Sequence, residues 1–229
     1  MMHHVRPYRL FTLTNGIAMD RLVRIPIPKR RGIGGLSLLE TFLLVSVAKV
    51  VGAERIFEIG TFLGTTTLNL ALNVSESAEI LTLDMNEDQA ASADQHSADI
   101  ALTKKHLASS EALDFLKTPL SSKVKILTGD STKFDFSPWT AAVDMVFIDG
   151  GHDFSTVKSD TEHAFQLVRT DRPSCVLWHD YRNPEYSGLT YYLEELSVER
   201  EIFHIEDTML CAWFNDPDLE IVSGMLKAA

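Results

Sequence analysis

Positive charge is what this sequence has too little of. Lysine and arginine number 21 against 32 aspartates and glutamates, a formal net charge of −11. A surface field of that sign repels polyanions, which counts against a general nucleic-acid binder or a protein held on anionic lipid. The one basic cluster, Lys29, Arg30 and Arg31 beside Arg21 and Arg24, reads as part of a solvated N-terminal arm. Cysteine is equally sparse. Cys175 and Cys211 are the only two, both in apolar stretches, and they read as buried free thiols of a reducing compartment. Long apolar runs are missing too: the most apolar stretch, 36–51, is interrupted by Glu40 and Lys49 and is too short for a bilayer. MMHHVRPYRLF lacks the apolar centre of a secretory signal, so a cytoplasmic protein without a membrane partner is expected. Two nucleotide signatures are absent as well. Neither G-x-G-x-x-G nor G-x-x-x-x-G-K-[ST] occurs, which disfavours a pyrophosphate-cradling dinucleotide site and a P-loop.

What is present is an ordinary globular composition, 45% apolar and 23% charged, over 229 residues. That length supports one substantial domain. Residues 1–35, with Pro26, Pro28 and the glycines of RRGIGG, read as an irregular N-terminal arm, and 36–229 as a single domain. Residues 36–51 form a helix that is apolar over most of its circumference and therefore well buried. Strand and helix then alternate. Strands are expected at 55–59, 79–83, 124–128, 143–148 and 174–178, with helices at 65–72, 155–168 and 190–196. Two further strands, 201–205 and 209–214, are joined by only three residues, which permits a hairpin and no crossover. The pattern predicts a doubly wound, mostly parallel seven-stranded α/β sheet ending in an antiparallel strand. The long segment 85–122, with helical stretches at 87–107 and 110–116, reads as a helical insertion at the rim.

The chain is organised around FEIGTFLGTTT, residues 57–67. A short strand runs into Gly60, and Gly64 opens a helix, bringing backbone amides close to a ligand. Glu58 is a charge inside an apolar strand, costly unless paired or facing a ligand. Asp84, Asp130 and Asp149 each follow a later strand, and His179 and Asp180 follow the fifth. In a parallel sheet these ends share one edge, so their polar groups converge in one crevice. Each acid alone is as readily a turn former or helix cap; their convergence is the signal. Asp84 stands 24 residues after Gly60, where an acid at the end of the second strand meets a ribose diol. An adenosine-bearing ligand without a pyrophosphate is implied.

On these segments, together with ILTLDMNE, VKILTGDS, DMVFIDGGHDFSTVKSD and VLWHDY, the chain resembles class I S-adenosylmethionine-dependent methyltransferases. The likeness lies in their O-methyltransferase branch, close to the macrocin-type sugar enzymes and more distantly to the catechol-type. It implies a Rossmann-like methyltransferase fold and S-adenosylmethionine as cofactor. Glu58, Gly60, Thr61, Gly64, Thr65 and Thr66 would hold its methionine end. Asp84 and Met85 would meet the ribose, Asp130 and Ser131 the adenine, and Asp149 lies beside them. Asp149, His179 and Asp180 match positions that bind a divalent metal, Mg or Mn, in metal-dependent members. His152 occupies the place of the general base, where catechol-type enzymes carry lysine.

The sequence departs from the family pattern twice. Phe154 stands where tyrosine is usual. His179 stands where a carboxylate is usual; an imidazole either shifts preference from Mg²⁺ toward Mn²⁺, Fe²⁺ or Zn²⁺ or means that His179 is no ligand. His152 has an ordinary pKa of about 6.5, near the working pH of a base; its structural alternative is a surface histidine ahead of a helix cap. For His179 the alternative is an orienting hydrogen bond to Asp180. His163 and His204 are expected to be structural, His96 and His106 solvent-facing, and Trp178 and Trp213 core or crevice wall. The expected activity is O-methylation of a hydroxylated small molecule, a sugar or natural product, by a homo-oligomer or a monomer that binds no nucleic acid. Competing readings are a binding or regulatory protein on the same fold and a nucleotide-dependent oxidoreductase.

Overall fold

Among the described residues eight strands form one sheet, and two of its central strands are buried at every position. β5 (Met145–Ile148) and β6 (Ser174–Trp178) are buried throughout, as strands covered on both faces must be. The computed structural model describes residues 1–8, 22–26, 35–92, 99–100 and 113–215. The remaining strands are β1 (Met2–Val5), β2 (Arg55–Ile59), β3 (Glu79–Asp84), β4 (Val124–Thr128), β7 (Ile202–Ile205) and β8 (Cys211–Asn215). Their spatial order is β1-β7-β8-β6-β5-β2-β3-β4. β8 alone runs antiparallel, against both β6 and β7. The expected doubly wound sheet with its C-terminal hairpin is present. It gains an eighth strand, because Met2–Val5 adds in parallel to β7 where the sequence reading had an irregular arm.

Successive strand residues face opposite sides, so two core layers form. Ile56, Ile80, Met145 and Cys175 pack with Leu43, Leu44 and Val47 of helix α1 (Leu38–Val50) on one side. Phe57, Ile59, Val146 and Val176 pack on the other side with helix α4 (Phe154–Leu167) and helix α5 (Ser187–Glu199). Complete burial of a side chain such as Phe57 stabilises the fold by about 2–3 kcal/mol. Helix α2 (Thr65–Asn73) follows β2, and α3 (Glu87–Ser92) opens the segment after β3. Residues 93–98 and 101–112 of the expected rim insertion, with His96 and His106, and the cluster Lys29, Arg30, Arg31 and Arg21 lie outside the described residues; the insertion's end forms two short 3₁₀ turns, Asp114–Lys117 and Pro119–Lys123.

The start of α1 matters for the site. Ser37 Oγ accepts from Glu40 N at 3.2 Å while Glu40 Oε2 accepts from Ser37 N at 2.7 Å, a reciprocal cap. This fixes a carboxylate at the carboxyl edge of the sheet. Both cysteines are buried and free, and burial pushes the Cys175 thiol well above its ordinary value. No described helix is long and apolar enough to cross a membrane.

Candidate active site

The chain reverses its direction of strand addition between β2 and β5, and ligands bind outside the carboxyl ends at such a switch point. There the β2 turn is held from several sides. Gly60 has φ 99°, and a side chain on it would begin 2.2 Å from the Asp149 carbonyl oxygen. Only glycine lets the turn lie against the end of β5. Gly64, at φ 72°, caps α2 without a side chain, and a Cβ there would meet the Phe115 ring at 2.8 Å. Asp84 Oδ2 accepts from Thr61 N at 3.1 Å and Phe62 N at 2.8 Å, and its Oδ1 from Met85 N at 2.8 Å. The acid expected at a ribose thus also pins the glycine turn.

Glu58 is wholly buried beneath that turn. Its Oε2 accepts from Thr67 Oγ1 and, at 2.5 Å, from Thr82 Oγ1, the residue opposite it on β3; Oε1 has no partner. Burial pushes its pKa up to about 8, more than the two hydroxyls pull it down. Thr61 Oγ1 lies 2.7 Å from Thr82 Oγ1, continuing the chain of hydroxyls to the turn. Thr65 and Thr66 are half-buried in the first turn of α2.

At the end of β4, Asp130 accepts from Thr132 N at 3.0 Å, Thr132 Oγ1 at 2.7 Å and Lys133 Nζ at 2.8 Å. Burial would raise its pKa, but Lys133 and Thr132 hold it below the ordinary range. Asp130 lines a cavity of about 330 Å³ with Gln89, Thr128, Gly129 and Phe134. Ser131 is half-buried next to it.

The remaining expected residues meet in one buried network. His179 Nδ1 lies 3.1 Å from Asp149 Oδ1 and 3.2 Å from Asp180 Oδ2, and its Nε2 faces Glu40 Oε2 at 3.5 Å, a charge contact longer than a good hydrogen bond. His152 Nε2 lies 3.0 Å from the same Asp180 oxygen, and its Nδ1 2.8 Å from Asp99 Oδ1. His152 N donates to Asp99 Oδ2 at 3.2 Å, and its ring stacks on Tyr186 at 3.8 Å. Asp180 turns its carboxylate inward through a left-handed backbone, φ 64°, where Asn183 Nδ2 donates to its other oxygen at 2.6 Å. Neither histidine is a surface group, and His179 makes the contact to Asp180 that the orienting alternative requires.

Charge follows from geometry. Burial alone would lower both histidine pKa values, but the carboxylates overcome it. Asp149 chiefly, with Asp180 and Glu40, pushes His179 up to about 12, and Asp180 and Asp99 push His152 up to about 9. Asp180 is held well below the carboxylate range despite its burial, by the two imidazoles. Glu40 falls to about 2: burial works against this, and His179, Met209 and Ser37 prevail.

Each ring nitrogen of His152 faces a carboxylate oxygen, the arrangement of a doubly donating imidazolium. The pKa expected from the sequence, near 6.5, applies to an exposed ring and not to this clamped one.

Asp149, His179 and Asp180 offer ligand atoms within 4.8 Å of one another. Their closest spacings, 3.1 and 3.2 Å, approach the roughly 3.0 Å between adjacent ligands around a six-coordinate ion with 2.1 Å bonds. The donor set fits a divalent ion, provided that His179 Nδ1 gives up its proton.

Residues 57–181 match the family model described as a methyltransferase domain. The chain belongs to this methyltransferase family. No match is found among curated proteins. Among solved structures, the methyltransferase is similar to an O-methyltransferase of tomaymycin synthesis from Streptomyces achromogenes, solved with S-adenosylmethionine. Identity is 18%, TM-score 0.54, over 78% of this chain and 81% of that one. It is likewise similar to a Bacillus cereus O-methyltransferase in complex with S-adenosylhomocysteine, at 19% identity and TM-score 0.54, over 79% and 83%. A third, an S-adenosylhomocysteine-bound methyltransferase from Podospora anserina, has 17% identity and TM-score 0.54, over 77% of each chain. At these identities the likeness is one of fold.

Sequence reasoning passed over Glu40, Asp99 and Tyr186. The S-x-x-E spacing of Ser37 and Glu40 signals a helix cap, but nothing in it signals the reach to His179. Asp99 lies in the polar segment after β3, where no periodicity singles it out. His163, stacked on Phe136 at 4.6 Å, and His204, paired with His4 at 2.9 Å, lie outside the network, as expected.

Proposed function

We propose that this methyltransferase moves a methyl group from S-adenosylmethionine to a hydroxyl of a small molecule, a sugar or natural product. One observation carries the reading. The Gly60 turn lies directly against the backbone of Asp149, so the donor turn and the acid–histidine network are in contact. S-adenosylmethionine supplies a sulfonium methyl group, and the protein must align an acceptor oxygen with it and manage one proton.

The turn from Gly60 to Gly64 suits the methionine end, since Gly64 leaves the first amides of α2 without a side-chain cap. Asp84 suits the ribose through the lone pairs that its three backbone donors leave open. Asp149, His179 and Asp180 would hold a divalent ion, whose charge lowers the pKa of a bound hydroxyl. His152 is the general base in this reading, with a condition set by its surroundings. It acts in its neutral form, with Nδ1–H held by Asp99, and the ionised Asp180 stabilises the imidazolium that forms when Nε2 takes the proton. The neutral form is the minor one near neutral pH, since the two carboxylates push the ring up to about 9. Asp99 and Tyr186 keep the ring in place from the opposite side.

The acceptor side faces an acidic surface. Glu40 and Asp207 line a cavity of about 390 Å³ with Ser37, Thr208 and Met209, beside His179. Neutral polyols suit it better than carboxylates or phosphates. The direct test is transfer of labelled methyl from S-adenosylmethionine to a panel of neutral sugars, phenols and natural-product alcohols together with amines and thiols. Label in one neutral hydroxyl class supports the reading. Label appearing only in amines or thiols contradicts it.

A further inference from the structure

Nε2 of His179 is buried and makes no hydrogen bond among the described residues. A sealed ring nitrogen without a partner is rare and calls for an explanation. The group it faces is the carboxylate of Glu40, whose Oε2 lies 3.5 Å away. At that distance Glu40 attracts the ring as a charge more than as a full hydrogen-bond acceptor. Glu40 is itself only 3% exposed, unlike the solvated acid that a helix start ordinarily carries.

Two backbone donors from different parts of the chain fix this carboxylate. Oε2 accepts from Ser37 N at 2.7 Å, which closes the cap of α1, and Oε1 accepts from Met209 N at 2.8 Å, just ahead of β8. A helix cap alone does not require a buried charge aimed at a histidine. On the other side of the ring, Nδ1 lies 3.1 Å from Asp149 Oδ1 and 3.2 Å from Asp180 Oδ2. An imidazole binds an ion through one nitrogen and then carries its hydrogen on the other. With Nδ1 turned to Asp149 and Asp180, that hydrogen belongs on Nε2, against Glu40.

We propose that Glu40 is the positioning residue for His179: it faces the Nε2 hydrogen and so leaves Nδ1 as the atom offered to a divalent ion. The proposal rests on the metal reading above. Glu40 does not itself touch the ion in this role. It fixes the plane of one ligand and the nitrogen that ligand presents, as a carboxylate behind a metal-bound histidine does.

Mn²⁺ titration of the full chain, followed by electron paramagnetic resonance, tests this without turnover. Glu40→Gln, which keeps the side chain's size and removes its charge, should weaken Mn²⁺ binding about tenfold or more. Thr41→Val is the control for the helix start, since it removes the hydrogen bond from Thr41 Oγ1 to Ser37 O in the same first turn. It should leave Mn²⁺ affinity within about twofold. Unchanged affinity in Glu40→Gln overturns the proposal, as does an equal loss in both variants, which would make Glu40 a builder of the helix only. A measurement on the wild-type protein carries the test where Glu40→Gln does not fold. In nitrogen-15 spectra of the Zn²⁺-loaded protein, His179 should hold the ion by Nδ1 and keep its hydrogen on Nε2, and the reverse arrangement overturns the proposal. If the wild-type protein binds neither Mn²⁺ nor Zn²⁺, the metal reading fails and the proposal with it.

Discussion

His152 Nε2 and His179 Nδ1 converge on one oxygen, Oδ2 of Asp180, at 3.0 and 3.2 Å. Asp180 is thus the hinge between the histidine assigned to the proton and the histidine assigned to the metal. Its left-handed backbone, φ 64°, makes this double contact possible at the end of β6.

His152→Ala should therefore lower methyl transfer by about 10²–10⁴-fold, the usual worth of a general base. S-adenosylhomocysteine affinity, measured by calorimetry, should stay within about threefold. Asp180→Asn should produce a comparable loss of transfer, because the imidazolium that forms at Nε2 then has no carboxylate to stabilise it. Full turnover in His152→Ala removes the ring from the mechanism.

Metal binding can be read without turnover. Mn²⁺ added to the wild-type protein should give a bound signal in electron paramagnetic resonance titration. Asp149→Ala and His179→Ala should each weaken it at least about tenfold, as each removes one of the three groups proposed to hold the ion. Equal Mn²⁺ binding in both variants would leave these residues as polar contacts for the acceptor.

Glu58 makes a stability prediction with a definite sign. Its folded pKa, about 8, is above the ordinary 4.5. Between those values the folded state keeps a proton that the unfolded state has lost, so stability falls as pH rises from about 4.5 through 8. Glu58→Gln keeps the hydroxyl partners and removes the titration. The variant should melt higher than wild type at pH 8.5, by an amount on the order of 3–5 kcal/mol at most, and the difference should shrink toward pH 5. A Tm difference independent of pH would contradict the assignment.

Gly60→Ala should cost both stability and ligand binding. The added carbon would begin 2.2 Å from the Asp149 carbonyl oxygen in a backbone at φ 99°. Displacing the end of β5 should lower stability by about 2–4 kcal/mol in denaturant titrations and abolish S-adenosylhomocysteine binding. A variant that binds normally would show that the turn and Asp149 are not in contact.

Much of this architecture is legible in the chain because central parallel strands are apolar runs with sharp ends. The expected strands at 55–59, 124–128 and 174–178 coincide with β2, β4 and β6. Met2–Val5 escaped detection because MHHV has neither alternation nor an apolar run, and its partner β7 lies some 200 residues away. The acids at strand ends were visible for the reason that strand ends share an edge.

Helix-borne groups were not visible. Glu40 and Asp99 reach the site region only through packing, and a carboxylate on a helix ordinarily reads as solvated surface. His152 was found by position, but its protonation depends on Asp99 and Asp180, 53 and 28 residues away in sequence.

The central claim is that the β2 turn receives a methionine-bearing adenosine. Thermal-shift titration with S-adenosylmethionine, S-adenosylhomocysteine and NAD tests it most directly. Stabilisation by the first two, rising with concentration as binding to the folded state alone requires, is the predicted result, with none from NAD. Stabilisation by NAD alone would contradict it.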